Sequence, residues 1–85
     1  MSWVVRYERE AERAIDALDP SVRRRILLAI GNLARDPRSA PNVKPMKGDD
    51  RYRLRVGDWR VIYTLHDAVL MVLVVQVGHR REVYR

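Results

Sequence analysis

From Arg51 to Val56 the chain alternates without a break: Arg51, Arg53 and Arg55 are interleaved with Tyr52, Leu54 and Val56. Successive side chains of a β-strand point to opposite faces, so this segment reads as a strand with one apolar face and one cationic face. Trp3 to Tyr7 is rich in β-forming residues and predicts a second short strand. From Glu8 the period changes. Ala11, Ala14, Ile15 and Leu18 recur at helical spacing, and Glu8, Glu10 and Glu12 lie at the end where a helix dipole favours negative charge. Asp19-Pro20 closes that helix and opens another, because Asp suits an N-cap and Pro the first helical position. Val22, Ile26, Ile30 and Leu33, with Leu27 and Ala34, form its apolar stripe, while Arg23, Arg24 and Arg25 fall on its outer surface. Asp36-Pro37 predicts its end near Arg35. So short a connection makes the two helices an antiparallel hairpin.

Residues 36–50 hold three of the four prolines and no sustained period, which predicts a long ordered loop. Beyond it the pattern is β: Arg51 to Val56, Trp59 to Leu65 and Ala68 to Val77, separated by Gly57-Asp58 and His66-Asp67. Gly57-Asp58 fits a two-residue hairpin turn with glycine first. The predicted fold is α+β, a single domain over residues 1–85. It comprises an N-terminal strand and a two-helix antiparallel hairpin, packed on a four-stranded, mainly antiparallel sheet.

The turn length sets the register. With two turn residues Val56 pairs with Trp59, Arg55 with Arg60 and Leu54 with Val61, so Arg60 joins the arginine face. Like charges directly opposite each other on a sheet cost a few tenths to about 1 kcal/mol, a cost that a bound phosphate would offset. A solvated arginine-rich strand is the plain alternative. The apolar residues Ile62, Val69, Met71 and Leu73 fall on the face away from the helices and predict a partly uncovered patch, unless the long loop or the C-terminus shields it.

Composition adds to this picture. Lys and Arg number 17 against 11 Asp and Glu, a net charge of +6 in 85 residues. The excess lies in the second half, with 8 basic and 6 acidic groups in residues 1–42 but 9 and 5 in residues 43–85. Such a surplus favours a polyanionic partner. Cysteine is absent, which excludes disulfides and thiolate chemistry and fits a cytoplasmic protein. The longest apolar run, Ala68 to Val75, is far shorter than the roughly 18 to 20 residues that span a bilayer, and no export signal is expected.

RNA cleavage by a 2′-hydroxyl requires proton removal, charge stabilisation at the phosphoryl oxygens and protonation of the leaving 5′ oxygen. Arginines supply the charge term, and His79 or Tyr84, close to Arg80 and Arg81 in sequence, could carry protons. A surface histidine without a role, and a tyrosine that packs or stacks on a base, are the plain readings of His79 and Tyr84. His66 and His79 lie too far apart to share a zinc ion, the acidic residues of the sheet half do not converge, and no glycine-rich phosphate loop is present. No cofactor and no metal site are expected.

Tyr52-Arg53-Leu54-Arg55, Gly57-Asp58-Trp59-Arg60-Val61-Ile62-Tyr63 and Val77-Gly78-His79-Arg80-Arg81-Glu82-Val83-Tyr84 together resemble the RelE/ParE superfamily of toxins from type II toxin–antitoxin systems. The resemblance covers essentially the whole chain and implies the RelE-like microbial ribonuclease fold. For the RelE branch it implies a metal-independent endoribonuclease that cuts mRNA on the ribosome, harms its host when free, and is held by a cognate antitoxin. It places Arg60, Arg80 and Tyr84 at catalytic positions, with His79 added from its chemistry. It also implies phosphate binding by Arg53 and Arg55, where relatives often carry lysine, and phosphate contacts are further expected from Lys47, Arg51 and Arg81. Arginine stays protonated and is a poor general base, which shifts proton transfer to His79 or Tyr84. The ending is compressed between Arg80 and Tyr84, and no C-terminal helix is expected after it. The ParE branch implies a different activity, inhibition of DNA gyrase without a nuclease site.

Overall fold

The computed structural model describes residues 2–80. Five strands, β1 (Val4–Tyr7), β2 (Val43–Pro45), β3 (Arg51–Val56), β4 (Trp59–His66) and β5 (Met71–His79), form one sheet in the order β1-β5-β4-β3-β2. Helices α1 (Arg9–Asp16) and α2 (Pro20–Leu33) are carried on one face. The α+β class, the helical hairpin and the placement of β1 in the same sheet agree with the sequence, β1 running parallel to β5 and the other pairs antiparallel. The sheet has five strands, not four.

The additional strand, β2, lies inside the segment expected to be a loop. Three residues ending in Pro45 cannot reveal a period, yet an edge strand needs ladder bonds on one side only and so tolerates proline there. Asn42 precedes it at φ 67°, a left-handed conformation that asparagine accepts, and its carbonyl receives the Arg55 N–H at 2.9 Å.

The β3–β4 register is the expected one, with Val56 on Trp59, Arg55 on Arg60 and Leu54 on Val61. Gly57 takes φ 60° at the first turn position, as a glycine-first hairpin requires. Between β4 and β5 the ladder is broken: Ile62 faces Gln76 and Tyr63 faces Val74, so Val75 is an extra, bulged residue. This bulge reverses the alternation. Val72, Val74 and Val77, at uneven spacing, are all buried beneath the helices with Val61 and Tyr63. β5 also begins later than expected, because Asp67–Val69 form a 3-10 turn and Leu70 adopts φ 49° before the strand starts.

The core joins Ala11 and Ile15 of α1 with Ile26, Ile30 and Leu33 of α2, packed onto Leu54, Val61, Tyr63, Val72, Val74 and Val77. Ile62 points to the other side and is nevertheless fully buried, so the expected open apolar patch shrinks. Met71 and Leu73 are half-buried and only Val69 is well exposed, at 65%. Tyr63 stacks on Tyr52 and donates its hydroxyl to the Pro37 carbonyl at 2.6 Å, tying the 34–42 loop to the sheet. Burial holds the Tyr63 phenol well above its ordinary pKa, keeping it a donor.

Arg23, expected on an outer surface, instead reaches back along the hairpin. Its guanidinium donates to the carbonyls of Ile15, Asp16 and Leu18 where α1 ends, adding to the Leu18 N–H that Ile15 already accepts. The Asp19 carboxylate does not cap α2 and accepts from the Ser21 hydroxyl at 3.2 Å. Among the described residues no helix is long and apolar enough to cross a membrane.

Two substitutions test this account by urea denaturation. Tyr63→Phe strands the Pro37 carbonyl in a buried place and is expected to cost about 1 to 3 kcal/mol. Arg23→Ala uncaps α1 and is expected to cost about 1 to 2 kcal/mol, with Arg24→Ala near zero.

Candidate nucleic-acid interface

Cross-strand partners share a face, so the observed registers place Lys44, Arg53, Arg55 and Arg60 together on the side of the sheet away from the helices. These four cations and Asn42 line one hollow of about 140 Å³. The convergence of Arg53, Arg55 and Arg60 is the arrangement expected from the alternation. Lys44 and Asn42 were missed, since nothing in the sequence marks β2 as a strand whose alternation can be read.

Arg60 is held in place by its own turn. One Nη donates to the carbonyls of Gly57 and Trp59, each at 3.0 Å, which aims the guanidinium. Arg80 sits at the same end of the sheet, its backbone N–H bonded to the Asp58 carbonyl at 2.8 Å and its Nε 3.9 Å from the Asp58 carboxylate. Arg25 of α2 crowds the turn from the other side, with Nη2 2.9 Å from where a Cβ on residue 57 would lie. Glycine is favoured there by its positive φ, while the guanidinium tip can swing aside.

The remaining expected site residues are not gathered here. Arg51 stands at the opposite end of β3, paired with Thr64, and forms an ion pair with Asp49 at 2.8 Å. Hydrogen bonds from the Arg51 side chain, then from its backbone N–H, hold the Asp49 carboxyl below its usual range. Lys47 is exposed in the turn between β2 and β3, which is closed by the Met46 N–H on the Arg51 carbonyl. His79 pairs with Trp59 and lies edge-on to its indole, with ring centroids 5.6 Å apart. Because Trp59 packs against the core, His79 faces the helix side, away from Arg53, Arg55 and Arg60. The bulge at Val75 is the cause, since unbroken alternation would have put His79 on the arginine face. Arg81 and Tyr84 lie outside the described residues.

A second electrostatic feature holds the loop that leads to the hollow. Arg38 forms a two-pronged pair with Asp67, at 2.9 and 2.8 Å, and its guanidinium lies 5.9 Å from the Trp3 ring. The Arg38 hydrogen bonds hold the Asp67 carboxyl below its usual range. Among the described residues no three His, Asp or Glu side chains gather as a metal site would require.

The family model for the ParE toxin of the type II toxin–antitoxin system parDE matches residues 5–84. The chain belongs to this toxin family. Toxin RelG of Mycobacterium tuberculosis is 28% identical over 88 aligned positions, covering 100% of this chain and 99% of the relative. Among solved structures, the toxin–antitoxin complex RelBE2 from M. tuberculosis contains a chain with TM-score 0.81 and 26% identity, covering 94% of this chain and 100% of that one. The archaeal RelE–RelB complex from Pyrococcus horikoshii gives TM-score 0.82 at 25% identity, with coverage of 96% and 99%. This protein is thus a toxin of a type II toxin–antitoxin system with a RelE-like structure.

The lowered Asp67 pKa fixes the sign of a pH effect. A carboxyl with a lower pKa folded than unfolded stabilises the fold above its unfolded value, near 3.9, and that contribution vanishes as pH falls through the folded value. Wild type is therefore expected to lose more stability than Asp67→Asn on acidification below about pH 4. Parallel denaturation curves from pH 6 to pH 2 check this.

Proposed function

We propose that this toxin is a metal-independent endoribonuclease that cuts mRNA on the ribosome, with the Lys44, Arg53, Arg55 and Arg60 hollow holding the scissile region of the backbone. The observation that carries the proposal is the convergence of these cations in one hollow on the sheet face away from the helices. In the reaction the ribose 2′ oxygen attacks the adjacent phosphorus, the bond to the 5′ oxygen breaks, and a 2′,3′-cyclic phosphate forms. Negative charge rises on the non-bridging oxygens, and guanidinium groups already fixed in place stabilise it without the reorganisation that water must undergo. Arg60 is preset for this by its turn carbonyls, so little reorganisation accompanies the reaction.

Arginine does not move the protons at neutral pH. We assign protonation of the leaving 5′ oxygen to the Tyr84 phenol, the 2′-hydroxyl proton passing to solvent water, with Arg80 adding charge at the rim; His79, whose ring is seated against Trp59, takes no part. Arg51, Lys47 and Arg81 are assigned to longer-range attraction of the RNA. A cognate antitoxin is the natural partner, as in the RelBE2 and RelE–RelB complexes of the relatives. Its acidic residues would neutralise the hollow, and the activity places the free toxin in the cytoplasm.

A second reading, gyrase inhibition without a nuclease site, is favoured by the match to a ParE model over residues 5–84. Induced expression separates the two readings. Wild type is expected to arrest growth with loss of translation, whereas Arg60→Ala and Arg80→Ala permit growth. Purified toxin is expected to leave gyrase supercoiling untouched. Tyr84→Phe is expected to slow cleavage by about 100-fold or more, with His79→Gln within a few-fold of wild type. Equal toxicity of wild type, Arg60→Ala and Arg80→Ala, together with blocked supercoiling, would establish the gyrase reading instead.

A further inference from the structure

The hollow contains more positive charge than one phosphate needs, and that charge is ordered. Lys44 pairs directly with Arg53 across β2 and β3, and Arg55 pairs directly with Arg60 across β3 and β4. Facing residues of an antiparallel pair stand about 4.5 to 5.5 Å apart at their Cα atoms, close enough for both side chains to clamp one phosphate. Arg53 and Arg55 are two residues apart on one face of β3, a separation of roughly 7 Å at about 3.4 Å per residue. The four cations therefore form two clamps, offset along the strand by a distance that consecutive phosphates of an extended single strand can match.

We propose that Lys44 and Arg53 form a second phosphate subsite, which takes the phosphate neighbouring the one held by Arg55 and Arg60. The ligand is a single-stranded phosphodiester, whose extended backbone can set consecutive phosphates at the spacing of the two clamps along a cationic groove. Lys44 is exposed and makes no ion pair among the described residues. Its position is fixed from the backbone side: the left-handed turn at Asn42 delivers its carbonyl to the Arg55 N–H, and this locks β2 in the register that sets Lys44 opposite Arg53. The subsite deepens the RNA reading and rests on it for the identity of the ligand, although binding can be measured without turnover.

The test uses the purified full chain, without ribosomes, and two probes: adenosine monophosphate, with one phosphate, and the 5′-phosphorylated dinucleotide pApA, with two. Binding is followed by NMR titration at several salt concentrations. Lys44→Ala is expected to weaken pApA by about tenfold and lower its salt slope by about one, while changing the mononucleotide less than about twofold. Lys44→Arg is expected to restore pApA binding. Arg24→Ala, which removes an exposed charge from α2, is expected to change neither probe by more than about twofold. If Lys44→Ala behaves like Arg24→Ala, or weakens both probes alike, the second subsite does not exist. Loss of this subsite with ribosomal cleavage intact overturns the present proposal alone; a Lys44-dependent preference for pApA in a protein that cleaves nothing overturns the nuclease reading alone.

Discussion

The pairing of β3 with β4 across a two-residue turn is the constraint on which the molecule rests. Gly57 makes the turn possible by accepting a positive φ. With the turn fixed, Leu54, Val61, Tyr52 and Tyr63 are committed to the helix side, and Arg53, Arg55 and Arg60 to the other. A one-residue slip would exchange the two sets, burying guanidinium groups and exposing the core. The arginine face is therefore stabilised indirectly. Its mutual repulsion is opposed by the burial of Ile26, Ile30 and Leu33 against the reverse side of the same strands.

The sequence made this half of the fold legible because its signals are local and redundant. Arg51 to Val56 alternates at every step, and Gly57-Asp58 names its own turn type, so the cross-strand partners of Arg55 and Leu54 follow before any coordinates are seen. The helical hairpin was legible for the same reason. What escaped depended on tertiary context. β2 has only three residues and ends in proline, so its strand character comes from the neighbouring edge of β3 and not from its own pattern. Lys44 was lost with it.

The bulge at Val75 was hidden in a different way. Val72, Leu73, Val74 and Val75 are all apolar, so the sequence there contains no alternation from which a phase change could be detected. Its consequence reaches the candidate chemistry, because the reversed phase turns His79 toward Trp59. Arg23 shows the same limit. A guanidinium on a helix surface and one that caps the preceding helix have identical local sequence, and only the hairpin geometry distinguishes them. Charge and periodicity thus placed the cations, whereas hydrogen-bond geometry decided how each is held: Arg51 by Asp49, Arg38 by Asp67, and Arg60 by the carbonyls of its own turn.

The central claim is that guanidinium groups from adjacent strands act together on an RNA backbone. The most direct measurement is to map mRNA ends by primer extension and end-group analysis after adding purified toxin to translating ribosomes, with wild type beside an Arg53→Ala/Arg55→Ala double variant of verified fold. New cuts within the ribosome-bound message that carry 2′,3′-cyclic phosphate ends, present with wild type and absent with the double variant, are the predicted result. Intact message with wild type, or identical cuts with both proteins, would contradict the account.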